Sequence, residues 1–196
     1  MLIKELAKRN RSYRGYDSSV KVPEEQLLDF IDTARYCASS VNLQPLKFYW
    51  SNEDPDNEKF RKEVKYARKL AHLNLPFPGT EPTAYILIAV DTAIAPNVQR
   101  FARDVGIVAQ TILLQAVEEG LGGIMIGNFD PEALRVSLGL PGTVVPNLVL
   151  AIGKPAEHIV LTDVRADGNI DYYRDEANTH YVPKRSLEEI VLNRPE

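Results

Sequence analysis

The sequence predicts an α+β fold in one domain, and three observations carry that prediction. Ala84 to Val90 is nearly continuous in apolar residues, and Val144 to Ile152 repeats that composition. Between them, Val98 to Glu119 is a long apolar segment with helical spacing. A strand apolar at every position is one covered on both faces, and 196 residues suffice to build the covering helices. Hydrophobic residues make up 44% and charged residues 26%, the balance of a globular chain with little disorder beyond its ends. Internal repeats and low-complexity tracts are absent, so one domain over residues 1–196 is the simplest organisation.

Each element has a local reason. Pro23-Glu24-Glu25 opens a helix, with proline at its first position and acids against the positive end of the dipole. Leu27, Leu28, Ile31, Ala34 and Ala38 then recur at helical spacing. Leu46 to Ser51 reads as a strand and Asp56 to Leu70 as a charged surface helix. Asn74 to Pro82 contains three prolines and a glycine, which forbid regular structure. A loop of that length is either a lid over a site or a segment packed on the body. In the long segment, Val105, Ile107, Val108, Ala109, Ile112, Leu113, Leu114, Ala116 and Val117 occupy more than one stripe. Such a helix is buried on most sides, at the centre of the domain and against a second subunit. Leu121 to Asn128 is a strand, and Asp130 caps the short helix after it. Val144 to Ile152 is a buried strand ended by Gly153-Lys154-Pro155. His158 to Val164 and Ile170 to Arg174 read as edge strands around the turn Asp167-Gly168-Asn169. Ser186 to Leu192 is a final helix with Leu187, Ile190 and Val191 on one side.

Composition also removes function classes. A net charge of -4 argues against nucleic acid as the main partner, since binding a phosphate backbone needs a strongly basic face. Cys37 is the single cysteine, so neither an intrachain disulfide nor a thiolate metal cluster is available. That usage suits a reducing compartment. Met1 to Arg9 lacks the apolar core of a secretion signal, and no stretch approaches the length of a membrane span. A cytoplasmic protein with no membrane partner is expected. His72, His158 and His180 lie far apart without metal-ligand spacing, and no nucleophile-elbow pattern is present.

Two short motifs carry chemistry. In Asn10-Arg11-Ser12-Tyr13-Arg14, two arginines flank a hydroxyl, a donor set that can hold a phosphate. In Ser39-Ser40-Val41-Asn42-Leu43-Gln44-Pro45, Asn42 and Gln44 can hydrogen-bond a flat heteroaromatic ring at donor and acceptor edges. Together they fit a phosphorylated aromatic cofactor, although an arginine-rich amino terminus also reads as a solvated face. The cluster Gly120-Leu121-Gly122-Gly123-Ile124-Met125-Ile126-Gly127 misses the dinucleotide fingerprint, because Met125 stands where its third glycine belongs. Backbone bared at Gly122, Gly123 and Gly127 can instead approach a planar ring. Cys37, on the inner part of the first helix, reads as a small buried residue. Lys184-Arg185 is either solvated charge or a cationic pair folding back toward the phosphate held by Arg11.

The chain resembles the FMN-dependent nitroreductases over almost its whole length. The likeness lies in Arg-Ser-x-Arg, Ser-x-Asn-x-Gln-Pro, the apolar helix entered through Asp104-Val105-Gly106 and carrying Gln110, the glycine-rich strand, Ala151-Ile152-Gly153-Lys154-Pro155 and Pro183-Lys184-Arg185. It implies an α+β sandwich with a mainly antiparallel central sheet flanked by helices. It also implies an intertwined homodimer with FMN at the subunit interface. By that resemblance Arg11 and Ser12 bind the phosphate and ribityl chain, while Arg14 sits by the pyrimidine side as an electrostatic tuner. Asn42, with Gln44 nearby, meets the ring edge. Met125 and Ile126 pack on a ring face, Gly127 and Asn128 turn amides toward N5 and O4, and Lys184 and Arg185 close on the phosphate. Asn10 stands where many members have a second arginine, which leaves the charge to the other cations. The implied reaction takes hydride from NADH or NADPH and reduces nitroaromatic, quinone or related acceptors by a ping-pong route. Flavin N5 carries that chemistry and no side chain is assigned a catalytic role. Enone reduction or dehalogenation on the same fold, or FMN binding without turnover, are the alternatives.

Overall fold

The two apolar runs pair with each other at the centre of the fold. In the computed structural model, which describes residues 2–193, the chain runs α1 (Ile3–Arg9), β1 (Tyr16–Asp17), α2 (Glu24–Ala34), β2 (Leu46–Ser51) and α3 (Asp56–Glu63). It continues with β3 (Ala84–Asp91), α4 (Ala102–Glu118), β4 (Gly122–Ile126), α5 (Pro131–Ser137) and β5 (Val144–Pro155). The last elements are β6 (Ile159–Asp163), β7 (Tyr173–Arg174), β8 (His180–Lys184) and α6 (Leu187–Ile190). No helix among the described residues is long and apolar enough to cross a membrane.

The described chain divides into two compact units, one ending at Ala156 and one beginning at Glu157. The sequence suggested one domain. The division follows from strand pairing, because β6, β8 and β7 form a sheet of their own, with β6 parallel and β7 antiparallel to β8. Within that second unit the buried pair Arg174–Glu157 ties β7 to the segment before β6.

In the first unit every named strand pair is antiparallel, in the order β2-β3-β5, with β4 and β1 both pairing β5. The period of two along β3 divides its side chains between two cores. Ala84, Ile86, Ile88 and Val90 join Leu27, Phe30, Val108 and Ile112 on the α2–α4 face. Tyr85, Leu87 and Ala89 join Phe60 and Leu134 on the α3–α5 face. This explains why the strand is apolar at every position: helices cover both faces of the sheet. Pro146 donates no ladder bond, and the register shifts there, with Asn147 left opposite no residue of β3.

Several boundaries differ from the sequence expectation. Ile3–Arg9 is a helix the sequence did not signal, since it buries only Leu6. Pro23 is the residue before the first turn of α2, and Cys37 lies past its end, donating to Thr111 Oγ1 at 3.2 Å. Helix α3 stops at Glu63: Val64 is extended and the Lys65 amide donates to the Asn128 carbonyl at 2.9 Å. A tertiary bond there ends the α-helix, and the chain resumes as a separate 3-10 segment over Arg68–Leu73. Strand β5 runs on through Lys154 and Pro155, because β1 supplies Asp17 and Tyr16 as partners. The proline-rich loop is held on the body at one end, with Ser18 Oγ donating to the carbonyls of Gly79 and Glu81. Helix α6 is a single turn closed by a Ser186–Glu189 capping box, with Leu187 and Ile190 exposed.

The α3–α5 face stores a pH response. Burial pushes the Tyr85 phenol up to about 12 from its ordinary 10.0, and burial raises the Tyr66 phenol well above its ordinary range. Tyr49 is also pushed up to about 12, by burial and then by its bond to Asp56 Oδ2. These phenols stay neutral in the fold and ionise earlier when unfolded. Their contribution is therefore complete below pH 10 and is lost as pH rises toward 12. A denaturant midpoint that falls over that interval is expected, with a shallower fall in Tyr85→Phe.

Candidate functional site

The amino-terminal motif forms one half of the site. Helix α1 ends at Asn10, whose amide donates to the Leu6 carbonyl at 2.8 Å; Asn10 is a buried end residue of the helix. Arg11 then turns back, and its Nη2 donates to the Ala7 carbonyl at 2.7 Å. Its Nε is buried with no hydrogen-bond partner among the described residues, and burial lowers the guanidinium below its ordinary range. A fixed cation with a spare donor is suited to an anion. Ser12 forms an isolated parallel bridge with Gly123, and the Tyr13 amide donates to the Gly123 carbonyl at 3.2 Å. Arg14 is buried, with Nη1 donating to the Ser12 carbonyl at 3.0 Å. The motif is thus docked along β4 rather than solvated.

That docking revises the reading of the glycine cluster. A Cβ on Gly122 would lie 2.6 Å from the Tyr13 ring. One on Gly123 would lie 2.6 Å from the Ala151 carbonyl oxygen and 2.7 Å from Leu113. These two glycines admit neighbours within the protein, not a ligand ring. Gly127 differs, since a Cβ there would meet nothing within 4 Å. Strand alternation separates the two residues expected on a ring face: Met125 is 36% exposed, whereas the Ile126 side chain is 3% exposed and packs in the α3–α5 core. The ring-face role expected of Ile126 is corrected accordingly, and Met125 is the side chain available. Asn128 is exposed beyond the end of β4.

The second half precedes β2. Residues 39–45 form a tight loop in which Val41, Asn42 and Gln44 hold φ of 50°, 53° and 52°. Left-handed backbone at a non-glycine residue costs about 1–2 kcal/mol per residue, and such strain concentrates at ligand sites. Gln44 Nε2 donates to both the carbonyl and Oδ1 of Asn42 at 3.1 Å. The loop is anchored by Asp104, a residue the sequence reading had not placed in the site. Its Oδ2 accepts from Ser39 Oγ at 2.7 Å and from the Ser40 amide at 2.9 Å. The available signal was a lone acid in the first turn of an otherwise apolar helix. Ser39, Gln44, Cys37, Phe48 and Asp104 line a cleft of about 190 Å³.

Within one chain the two halves stay apart. Ile126 lies opposite Val149, which lies opposite Leu87, which lies opposite Tyr49. Three strand spacings thus separate β4 from β2, about 14 Å, and Pro45 lies a further four residues along, about 13 Å. Arg11, Ser12 and Arg14 gather beside the strand leading to Gly127, while Asn42 and Gln44 gather on the other side of the sheet. Lys184 and Arg185 belong to the second unit, where both are exposed and Arg185 Nη1 donates to Glu189 Oε1 at 3.2 Å. Among the described residues, no group of three or more His, Cys, Asp and Glu side chains could hold a metal ion.

Residues 7–154 match the nitroreductase family. A Bacillus subtilis protein bearing the name NAD(P)H nitroreductase YdgI is 25% identical over 185 residues, covering 78% of this chain and 88% of its own. A nitroreductase family protein from Clostridium difficile 630 superposes with a TM-score of 0.66 at 25% identity, covering 80% and 86% of the two chains. A Desulfovibrio desulfuricans protein named a nitroreductase, solved in complex with FMN, superposes with a TM-score of 0.72 at 20% identity over 100% and 98%. The fold and these relatives define an oxidoreductase of the α+β class. The chain belongs to the nitroreductase family.

Proposed function

We propose that this protein is an FMN-dependent NAD(P)H oxidoreductase acting as a homodimer on nitroaromatic, quinone or related organic acceptors. The half-buried Arg11, whose Nε is buried beside Ser12 with no hydrogen-bond partner among the described residues, is the observation that carries this reading. A phosphate monoester supplies the anionic acceptor that such a donor lacks. The separation of the two half-sites supports the dimer: Asn42 and Gln44 of one copy complete the pocket begun by Arg11, Ser12 and Arg14 of the other. Exposed Ile107 on α4 supports burial of that helix's remaining apolar face between copies.

The residues divide the work. Arg11 and Ser12 hold the phosphate and ribityl chain. Asn42 and Gln44 orient the ring edge, Met125 covers one face, and the open backbone at Gly127 and Asn128 admits the ring closely. Arg14 places a fixed positive charge toward the pyrimidine side, which favours electron gain. Held by these residues, FMN would supply the redox chemistry, hydride acceptance from a reduced nicotinamide and electron delivery to the acceptor.

Purification followed by anaerobic titration tests the proposal. Yellow protein bleached by NADH or NADPH, and reoxidised by a nitroaromatic or a quinone with parallel-line kinetics, is expected. Bound flavin that neither nucleotide bleaches would make the protein a non-catalytic FMN module. An enone that outpaces both acceptors would transfer the reaction to that class.

A further inference from the structure

Asp104 is 4% exposed and stands in the first turn of a largely apolar helix, yet it contributes no charge to a surface. Its carboxylate is directed at the loop before β2. One oxygen accepts the Ser39 hydroxyl and the Ser40 amide. The Ser39 hydroxyl in turn accepts the Gln44 amide at 3.0 Å. Ser39 therefore bridges both ends of the loop, and its proton direction is set by the acceptor beneath it. Between those ends lie the left-handed residues Val41, Asn42 and Gln44, whose backbone needs an external restraint to persist.

We propose that Asp104 is a positioning residue for the flavin ring edge, acting through Ser39 to fix Asn42 and Gln44 of the loop. This rests on the FMN reading above and names a device that reading does not contain. Asp104 touches no cofactor itself. It holds the groups that do, much as an outer ligand orients an inner one.

The test is a double-mutant cycle on FMN affinity, with the visible spectrum of the bound flavin as a second readout. Asp104→Ala and Ser39→Ala are each expected to raise the Kd for FMN about tenfold, as losing a charge-assisted bond does, and to shift the spectrum alike. The double variant is expected to stay within about twofold of Asp104→Ala, because both changes break one chain of bonds. Asp104→Asn keeps an acceptor oxygen and is expected to recover most of the affinity and the native spectrum. Multiplying effects in the double variant, or a lowered Tm with Kd and spectrum unchanged, would overturn the proposal. Should Asp104→Ala fail to fold, Ser39→Ala with native affinity overturns it equally. A wild-type protein that stays empty when titrated with FMN removes the flavin reading itself, a result distinct from wild-type loading with unaltered variants.

Discussion

Arg11→Ala is expected to raise the Kd for FMN about thirtyfold, close to 2 kcal/mol. The loss is large because one donor of Arg11 is already out of water. Its Nε is buried with no partner among the described residues, so that N–H enters binding without hydration to lose. Its Nη2 is pinned to the Ala7 carbonyl, which limits the rotamer freedom lost on binding. Arg11→Lys keeps the charge and loses the planar fork, and an intermediate affinity follows. Flavin fluorescence quenching measures all three proteins. Native affinity in Arg11→Ala would move the phosphate site elsewhere. Little change in Tm is expected, since removing the guanidinium removes an unpaired buried donor together with one bond.

Gly123→Ala is expected to destabilise the protein by about 3 kcal/mol, a fall of about 6–12 °C in Tm for a chain of this size. The new methyl would sit 2.6 Å from the Ala151 carbonyl oxygen. That oxygen belongs to the β4–β5 ladder, where Ala151 lies opposite Ile124, so it has nowhere to move without breaking pairing. Leu113 at 2.7 Å blocks the other route. Gly127→Ala is the control. Its methyl meets nothing within 4 Å, so Tm should stay near wild type while FMN binding weakens as the methyl takes the ring's space. Thermal melts with and without FMN separate the two outcomes. Equal Tm for both variants would mean that β4 can shift, and that the glycines are not set by packing.

Local chemistry made several elements readable. Leu46–Ser51 agrees with the sequence expectation, and so do the apolar cores of β3 and β5, where a strand covered on both faces has few polar positions to confuse its pattern. Asp130 caps α5 as expected, accepting the amides of Glu132 and Ala133. Other elements depended on distant partners. The end of α3 is decided by Asn128, and the end of β5 by a two-residue strand at the far end of the unit. Strand β8 is fixed by its pairing with β6 and β7, which no local pattern announces.

The residues of the site divide in the same way. The donor types in Arg11, Ser12, Arg14, Asn42 and Gln44 are legible in one dimension because hydrogen-bonding capacity belongs to the residue itself. Which side of a strand faces outward is not, so the sequence put Met125 and Ile126 together where the pleat sets them apart. The need for glycine at 123 lies in Ala151 and Leu113, and the grip on the strained loop lies in Asp104, 64 residues from the Ser40 amide it accepts. The chain by itself determined its class of fold and its store of phosphate- and ring-binding groups, since these follow from composition and short-range period. Only the tertiary structure decided which of those groups meet, because contact between residues far apart in sequence is settled by strand register and packing.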